Sequence, residues 1–203
     1  MDLPKRRELY QILKKCSIKK FPLIHLRHDL ELWELDFLVN DLPSYVFNIH
    51  PLTEYQFPNY YLKYRDKIYI ENSFFYSDHS ISETDFSHDY AGLCLDLNHF
   101  EDSRLLFPKV CNQLLTLLEK YPLGCGHVGP IMEKTQHEPD TDLDLYESHV
   151  FTKLSEFDYL KNYPKKYFPE VIALEVENSL EEQLKAIEYL NQEGLVTIKS
   201  ANV

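Results

Sequence analysis

Short apolar runs that end abruptly in an ionisable side chain recur along this chain and restrict its fold more than any other pattern. The clearest case is Gly92-Leu-Cys-Leu-Asp96, with His99 three residues further on. Strands buried on both faces read as continuous apolar runs, and an ionisable group at such a strand end must be paired, metal-bound or catalytic. The same design recurs in four other segments, which end in His50, Glu71, His127 and Glu175. A strand expected over 23–27, directly before His28, belongs to the same set.

Helix-type segments alternate with these strands, which indicates an α/β fold with a parallel sheet. Apolar spacing predicts helices over 5–16, 30–39, 105–120 and 156–162. A last helix is expected after Ser179, because Ser179 and Glu182 form a capping box and Gly194 is placed to end the helix. Polar segments are expected to be connections over 51–65, 72–89 and 133–144. Functional residues of such folds collect at the carboxyl ends of the strands, where these polar residues lie.

The bulk composition narrows the class of protein. A length of 203 residues with 44% hydrophobic residues fits one domain spanning 1–203. We expect no membrane span, since no apolar run reaches about 18 residues. We also expect no secretory segment, since the charged, amphipathic N-terminal segment lacks an apolar h-region. The 4 cysteines lack a CxxC pair, which is typical of reduced thiols in the cytoplasm. By strand alternation Cys94 and Cys125 share a face with Asp96 and His127, and we expect them to be small interior fillers near these residues. A net charge of −12 disfavours a nucleic-acid partner, because such proteins bind phosphates through lysine and arginine.

Each polar strand end also has a purely structural interpretation. Asp96 could cap a helix, and Glu71 and Glu175 could form surface ion pairs. Glu177 lies on the same strand face as Glu175 and could replace it. Glu175 is preferred because it is the first polar residue after the apolar run 171–174.

Four strand ends, in order, carry a resemblance to a known superfamily. They are Ile70-Glu71-Asn72, Leu95-Asp-Leu-Asn-His99, Gly126-His127 and Leu174-Glu175. Through them the chain resembles the xylose-isomerase-like (β/α)8 barrels, which comprise sugar phosphate isomerases and epimerases together with endonuclease IV. The resemblance implies a TIM-barrel-like domain that is shortened or incomplete, because only about six to seven strands are recognisable. An uncovered barrel edge would favour a homodimer.

The resemblance implies a divalent metal site with four ligands, Glu71, Asp96, His127 and Glu175. Carboxylates with one imidazole suit Mn, Zn or Mg, and the sequence does not select among these metals. In the isomerase and epimerase branch, Glu71 and Glu175 would also be the catalytic base and acid. His50 and His99 would bind a sugar or sugar-phosphate substrate.

In the endonuclease branch, three zinc ions use further residues. The corresponding candidates are His25 or His28, His50, His99, Glu147 and His149, of which His99 and His149 are the main additional ligands. Glu147 stands where that family has aspartate, and we interpret it, like His25 and His28, as structural. The leading hypothesis is a metal-dependent isomerase or epimerase-like enzyme. A multi-zinc phosphodiester hydrolase of the endonuclease IV type and a degenerate barrel without catalytic activity are the alternatives.

Overall fold

The structure, a computed structural model, describes residues 2–18, 20–42, 44–51, 56–72, 83–86, 89–138 and 142–195. Most of the predicted connection over 72–89, including His79 and His88, lies outside the described residues. Within these ranges, no helix is both long enough and apolar enough to cross a membrane.

Six parallel strands of the described residues form one sheet that curves into a nearly closed barrel. In sheet order they are β1 (Phe21–His25), β2 (Ser44–Ile49), β3 (Ile68–Glu71), β4 (Gly92–Asp96), β5 (Leu123–Val128) and β8 (Val171–Leu174). The edge strands β1 and β8 approach each other without ladder hydrogen bonds in the described part of the chain. The predicted α/β barrel-like fold is therefore confirmed in this coarse sense, while membership of a superfamily stays a prediction.

Helices surround this barrel. In the described ranges the α-helices are α1 (Leu3–Lys15), α2 (Leu32–Asp36), α3 (Leu97–Leu106), α4 (Pro108–Lys120) and α5 (Leu180–Gln192). A π-helical turn covers Phe37–Asp41, and 3₁₀ helices cover Asn59–Lys67, Glu83–Phe86, Leu154–Asn162 and Lys165–Tyr167. Apolar spacing does not predict α3, because polar residues such as Asn98, Asp102 and Ser103 make up much of its buried surface. Pro108 then starts α4 and separates it from α3.

An antiparallel hairpin of β6 (Ile131–Glu138) and β7 (Leu143–Glu147) occupies most of the segment predicted to be a polar loop. That prediction was wrong because β6 is mostly exposed and polar, and so lacks the alternation of a half-buried strand. The Asp102 carboxylate anchors the hairpin by accepting the backbone N–H groups of Tyr146 and Glu147, both at 2.9 Å. Because the hairpin follows β5, this anchor holds Glu147 near the carboxyl ends of the barrel strands.

On β3 and β4, apolar side chains lie on one face of the sheet and small or polar side chains on the other. Ile70 and Leu93 are fully buried and belong to the hydrophobic core. In-register neighbours in a parallel sheet share a face, and Cys94 pairs with Cys125 on β4 and β5. Both thiols are fully buried. Small side chains on this face suit a six-stranded barrel, whose interior is narrower than that of an eight-stranded one.

Arg6 attaches α1 to the segment that follows β1 through ion pairs with Glu34 and Asp29, of which the pair with Glu34 is shielded from water. Its Nε donates to Glu34 Oε1 at 2.8 Å and its Nη2 to Glu34 Oε2 at 3.0 Å. Nη1 lies 2.9 Å from Asp29 Oδ2. The side chain of Glu34 is fully buried and that of Arg6 is 9% exposed. Removing one partner of such a pair leaves the other charge buried and uncompensated.

Arg6→Ala is therefore expected to lower the free energy of unfolding by about 3–5 kcal/mol, measured by urea denaturation. Arg27→Ala is the matched control, because Arg27 also pairs with Asp29 but its side chain is 50% exposed. We expect Arg27→Ala to lower the free energy of unfolding by less than about 1 kcal/mol. Equal losses in the two variants would contradict the assigned role of Arg6.

Candidate metal centre

Four side chains that the sequence places at separate strand ends meet at the carboxyl end of the barrel. Glu71 ends β3, Asp96 ends β4, His127 lies near the end of β5, and Glu175 directly follows β8. One ligand atom from each lies within 4.8 Å of the others. We call these four residues the strand-end cluster. The structure thus brings together the four predicted metal ligands.

His127 stands among the three carboxylates of the strand-end cluster. Its Nδ1 lies 2.5 Å from Glu175 Oε2, 3.7 Å from Glu71 Oε1 and 3.8 Å from Asp96 Oδ2. Burial acts to lower the pKa of His127, but the negative charges of Glu71, Asp96 and Glu175 outweigh it and raise that pKa to about 10. In the absence of a metal ion, the imidazole is therefore a cation that offsets part of the surrounding negative charge.

Asp96 uses its two carboxylate oxygens differently. Oδ1 accepts the backbone N–H groups of Asn98 at 2.9 Å and His99 at 3.1 Å, and so caps α3. Oδ2 is buried and accepts no hydrogen bond from the described residues. Burial raises the pKa of Asp96 to about 6. The capping interpretation is thus correct for one oxygen, while the other is available to a ligand.

The backbone around Asp96 is held by Asn72, the residue after β3. The Asp96 N–H donates to Asn72 Oδ1 at 2.6 Å, and Asn72 Nδ2 donates to the Asp96 carbonyl oxygen at 2.9 Å. Both residues are buried. This reciprocal pair sets the position of Asp96 relative to Glu71, which directly precedes Asn72.

Glu71 is fully buried and has a hydrogen-bond donor in Asn48 Nδ2. Burial acts to raise the pKa of Glu71, but the charges of His127 and His25 outweigh it and hold that pKa below its usual value. Burial likewise opposes ionisation of Glu175, and its hydrogen bond with His127 holds the Glu175 pKa low. Both glutamates are therefore carboxylates and supply anionic oxygen ligands. The burial of Glu71 rules out a simple surface ion pair for this residue.

The donor set fits a divalent cation. Carboxylate oxygens and one imidazole nitrogen are ligands that Zn, Mn and Mg share, and the chemistry of the set does not select one of them. A buried carboxylate oxygen without a donor costs free energy unless a cation or a water satisfies it. Asp96 Oδ2 is such an oxygen, and it is the observation that most directly favours a bound cation.

His25 joins this site, although the sequence interpretation made it structural. His25 Nδ1 lies 3.7 Å from Glu71 Oε2, and the His25 ring lies 4.7 Å from that of His50. His25, His50 and Glu71 form a second group of close ligand atoms that shares Glu71 with the strand-end cluster. His25 ends β1, which stops two residues before the predicted strand end at Arg27. With the strand ending at His25, this residue would have been counted among the polar strand ends.

His99 lies beside the strand-end cluster, whereas His149 does not approach it. His99 Nε2 is 3.8 Å from Asp96 Oδ2, and its Nδ1 pairs with the Glu147 carboxylate. Burial opposes the charged form of His99, but Asp96 and Glu147 raise its pKa well above the usual value. His149 is exposed and belongs to none of the ligand groups formed by the described residues.

The glycines next to His127 make room for protein atoms. A Cβ at Gly126 would lie 2.6 Å from the Leu95 carbonyl oxygen, and one at Gly124 would lie 2.0 Å from Cε1 of Tyr69. Contacts this short exclude a side chain at either position without rearrangement. The glycines therefore serve close packing within the barrel, so their presence carries no information about ligand access.

Comparison with known proteins does not assign the chain to a family. No protein-family model matches it, and no curated protein matches it either.

The positive charge of His127 should make the stability of the metal-free protein depend on pH. Its pKa rises from 6.5 to about 10 on folding, so the stabilisation is complete below pH 6.5 and is lost as pH rises towards 10. We expect the difference in free energy of unfolding between wild type and His127→Gln, measured with chelator present, to shrink across this interval. A similar change for His137→Gln, on the exposed strand β6, would mean that the effect is not specific to the cluster.

Proposed function

We propose that this chain is a divalent-metal-dependent enzyme that isomerises or epimerises a sugar or sugar phosphate. The observation that carries the proposal is the strand-end cluster, which joins three carboxylates and one imidazole at the carboxyl end of an α/β barrel. Active sites of such barrels lie at this end. The net charge of −12 also favours a small neutral or metal-bridged substrate over nucleic acid.

The cluster contains the groups that proton transfer requires. A bound divalent cation would polarise the substrate carbonyl and acidify the neighbouring C–H bond. Glu71 and Glu175 come from β3 and from the residue after β8, with β4 and β5 between them in the sheet. In the proposal one carboxylate removes the proton and the other, once protonated, returns one. His50 and His99, at the margins of the cluster, orient substrate hydroxyl groups.

A second candidate function is phosphodiester hydrolysis at a site with several zinc ions. It is favoured by the second ligand group, in which His25 and His50 share Glu71 with the strand-end cluster. Two cations bridged by one carboxylate can stabilise both the attacking and the leaving oxygen of a phosphoryl group. The exposed position of His149 and the negative charge of the chain weigh against this candidate.

Proton transfer next to a carbonyl in D₂O replaces hydrogen with deuterium, and this exchange tests the leading proposal. Incubation with a panel of ketoses, aldoses and their phosphates in D₂O, with Zn, Mn or Mg, should introduce deuterium at the carbon beside the carbonyl, detected by proton NMR. Glu71→Gln and Glu175→Gln should lower this exchange by about 10²–10⁴-fold, because each removes an acid–base group. Glu177→Gln, an exposed neighbour, is the matched control and should exchange normally.

Two results would contradict this proposal. One is exchange that survives both glutamate substitutions on an identified substrate. The other is an absence of exchange across the panel, together with metal-dependent cleavage of abasic DNA whose binding weakens steeply with salt. The second result would favour the hydrolase. Metal-bound protein that shows neither reaction would favour a barrel without catalytic activity.

A further inference from the structure

We infer that Cys94 contributes a sulfur ligand to the metal centre and gives it a preference for zinc over magnesium and manganese. The inference rests on the metal site proposed above and concerns its selectivity. Thiolate sulfur is absent from the donor set that the resemblance implies. The position of Cys94 in the barrel supports a sulfur ligand.

The register of the sheet brings the Cys94 sulfur to the cluster. Cys94 is the in-register neighbour of Glu71 and stands two residues before Asp96 on the same strand. Its Sγ, a Glu71 oxygen and a His127 ring nitrogen all lie within 4.8 Å of one another. A zinc ion lies about 2.0–2.3 Å from each of its ligand atoms, so two ligands of one ion are at most about 4.6 Å apart. The 4.8 Å within which these three atoms lie is close to that limit.

A second observation points to a ligand at the same place. Cys94, Glu71 and His127 form one group of close ligand atoms. Two of these residues, Glu71 and His127, also belong to the strand-end cluster. Within that shared site, Asp96 Oδ2 is buried, lies 3.8 Å from His127 Nδ1, and accepts no hydrogen bond from the described residues. A cation placed among these groups would satisfy the oxygen, and the sulfur lies on the inner side of the same space.

Cys125 provides an internal comparison. It is the in-register neighbour of Cys94 and is equally buried. It nevertheless belongs to none of the ligand groups formed by the described residues. Filling the barrel interior would account for both thiols equally well, whereas proximity to Glu71 and His127 distinguishes Cys94.

The sulfur atom determines which metals the site favours. Thiolates bind zinc and cobalt well, while magnesium and manganese prefer oxygen ligands. On binding, the Cys94 thiol releases its proton to solvent and the sulfur lone pair forms the metal bond. A site with this ligand should therefore discriminate between metals that the three carboxylates and the imidazole accept alike.

Cobalt(II) makes a sulfur ligand visible, because a cobalt–thiolate bond gives a near-ultraviolet charge-transfer band that oxygen and imidazole ligands do not. We expect this band in the cobalt-loaded wild type and in the controls Cys125→Ser and Cys111→Ser, but not in Cys94→Ser. Cys94→Ser should also weaken zinc binding by more than the about 10–100-fold typical of losing an outer-shell partner, and leave magnesium binding unchanged. Elemental analysis of the same samples gives the cobalt bound per chain.

The possible results separate this inference from the proposed function. Bound cobalt without the band in wild type would overturn the sulfur ligand and leave the metal-dependent enzyme standing. A band that persists in Cys94→Ser would also overturn it. Absence of bound cobalt would contradict both the ligand and the metal site. If circular dichroism shows that Cys94→Ser is unfolded, Cys94→Ala takes its place, and the wild-type spectrum alone already decides whether sulfur is bound.

Discussion

The negative charge held around one imidazole inside a narrow barrel is the constraint on which the rest of this structure depends. Glu71, Asp96 and Glu175 surround His127 at the carboxyl end of the strands. Two like charges about 4 Å apart repel by about 4 kcal/mol at an effective dielectric constant of about 20. A single imidazolium offsets only part of this repulsion, and burial raises the pKa of Asp96 to about 6. A divalent cation bound by the four side chains would replace the imidazolium proton and offset more of this charge.

The surrounding scaffold positions these carboxylates and leaves at least one oxygen free. Asn48 donates to Glu71, and Asn72 holds the backbone of Asp96. The start of α3 occupies only Oδ1 of Asp96. One turn further along α3, Asp102 anchors the hairpin whose Glu147 pairs with His99. Second-layer partners of this kind orient metal ligands and set their protonation, which is the role that we assign to them.

Much of the site could be predicted from the sequence because strand ends carry a strong local signal. An apolar run that stops at a carboxylate identifies Glu71, Asp96 and Glu175 without knowledge of the fold. The same signal missed His25, because the strand boundary was placed two residues too late. α3 and the hairpin were also missed, the first because its buried face is polar and the second because its strands are exposed. Strand alternation places Cys94 on the same face as Asp96, but its position beside Glu71 depends on long-range strand pairing, which no local pattern encodes.

Metal content, measured by elemental analysis on protein purified without a histidine tag, tests the central claim most directly. The informative variant is Asp96→Asn, because its amide oxygen can still cap α3 while the anionic oxygen without a hydrogen-bond donor is lost. We expect at least one divalent ion per chain in the wild type and a marked loss in the variant. A wild type without bound metal, or equal metal content in the two proteins, would contradict it.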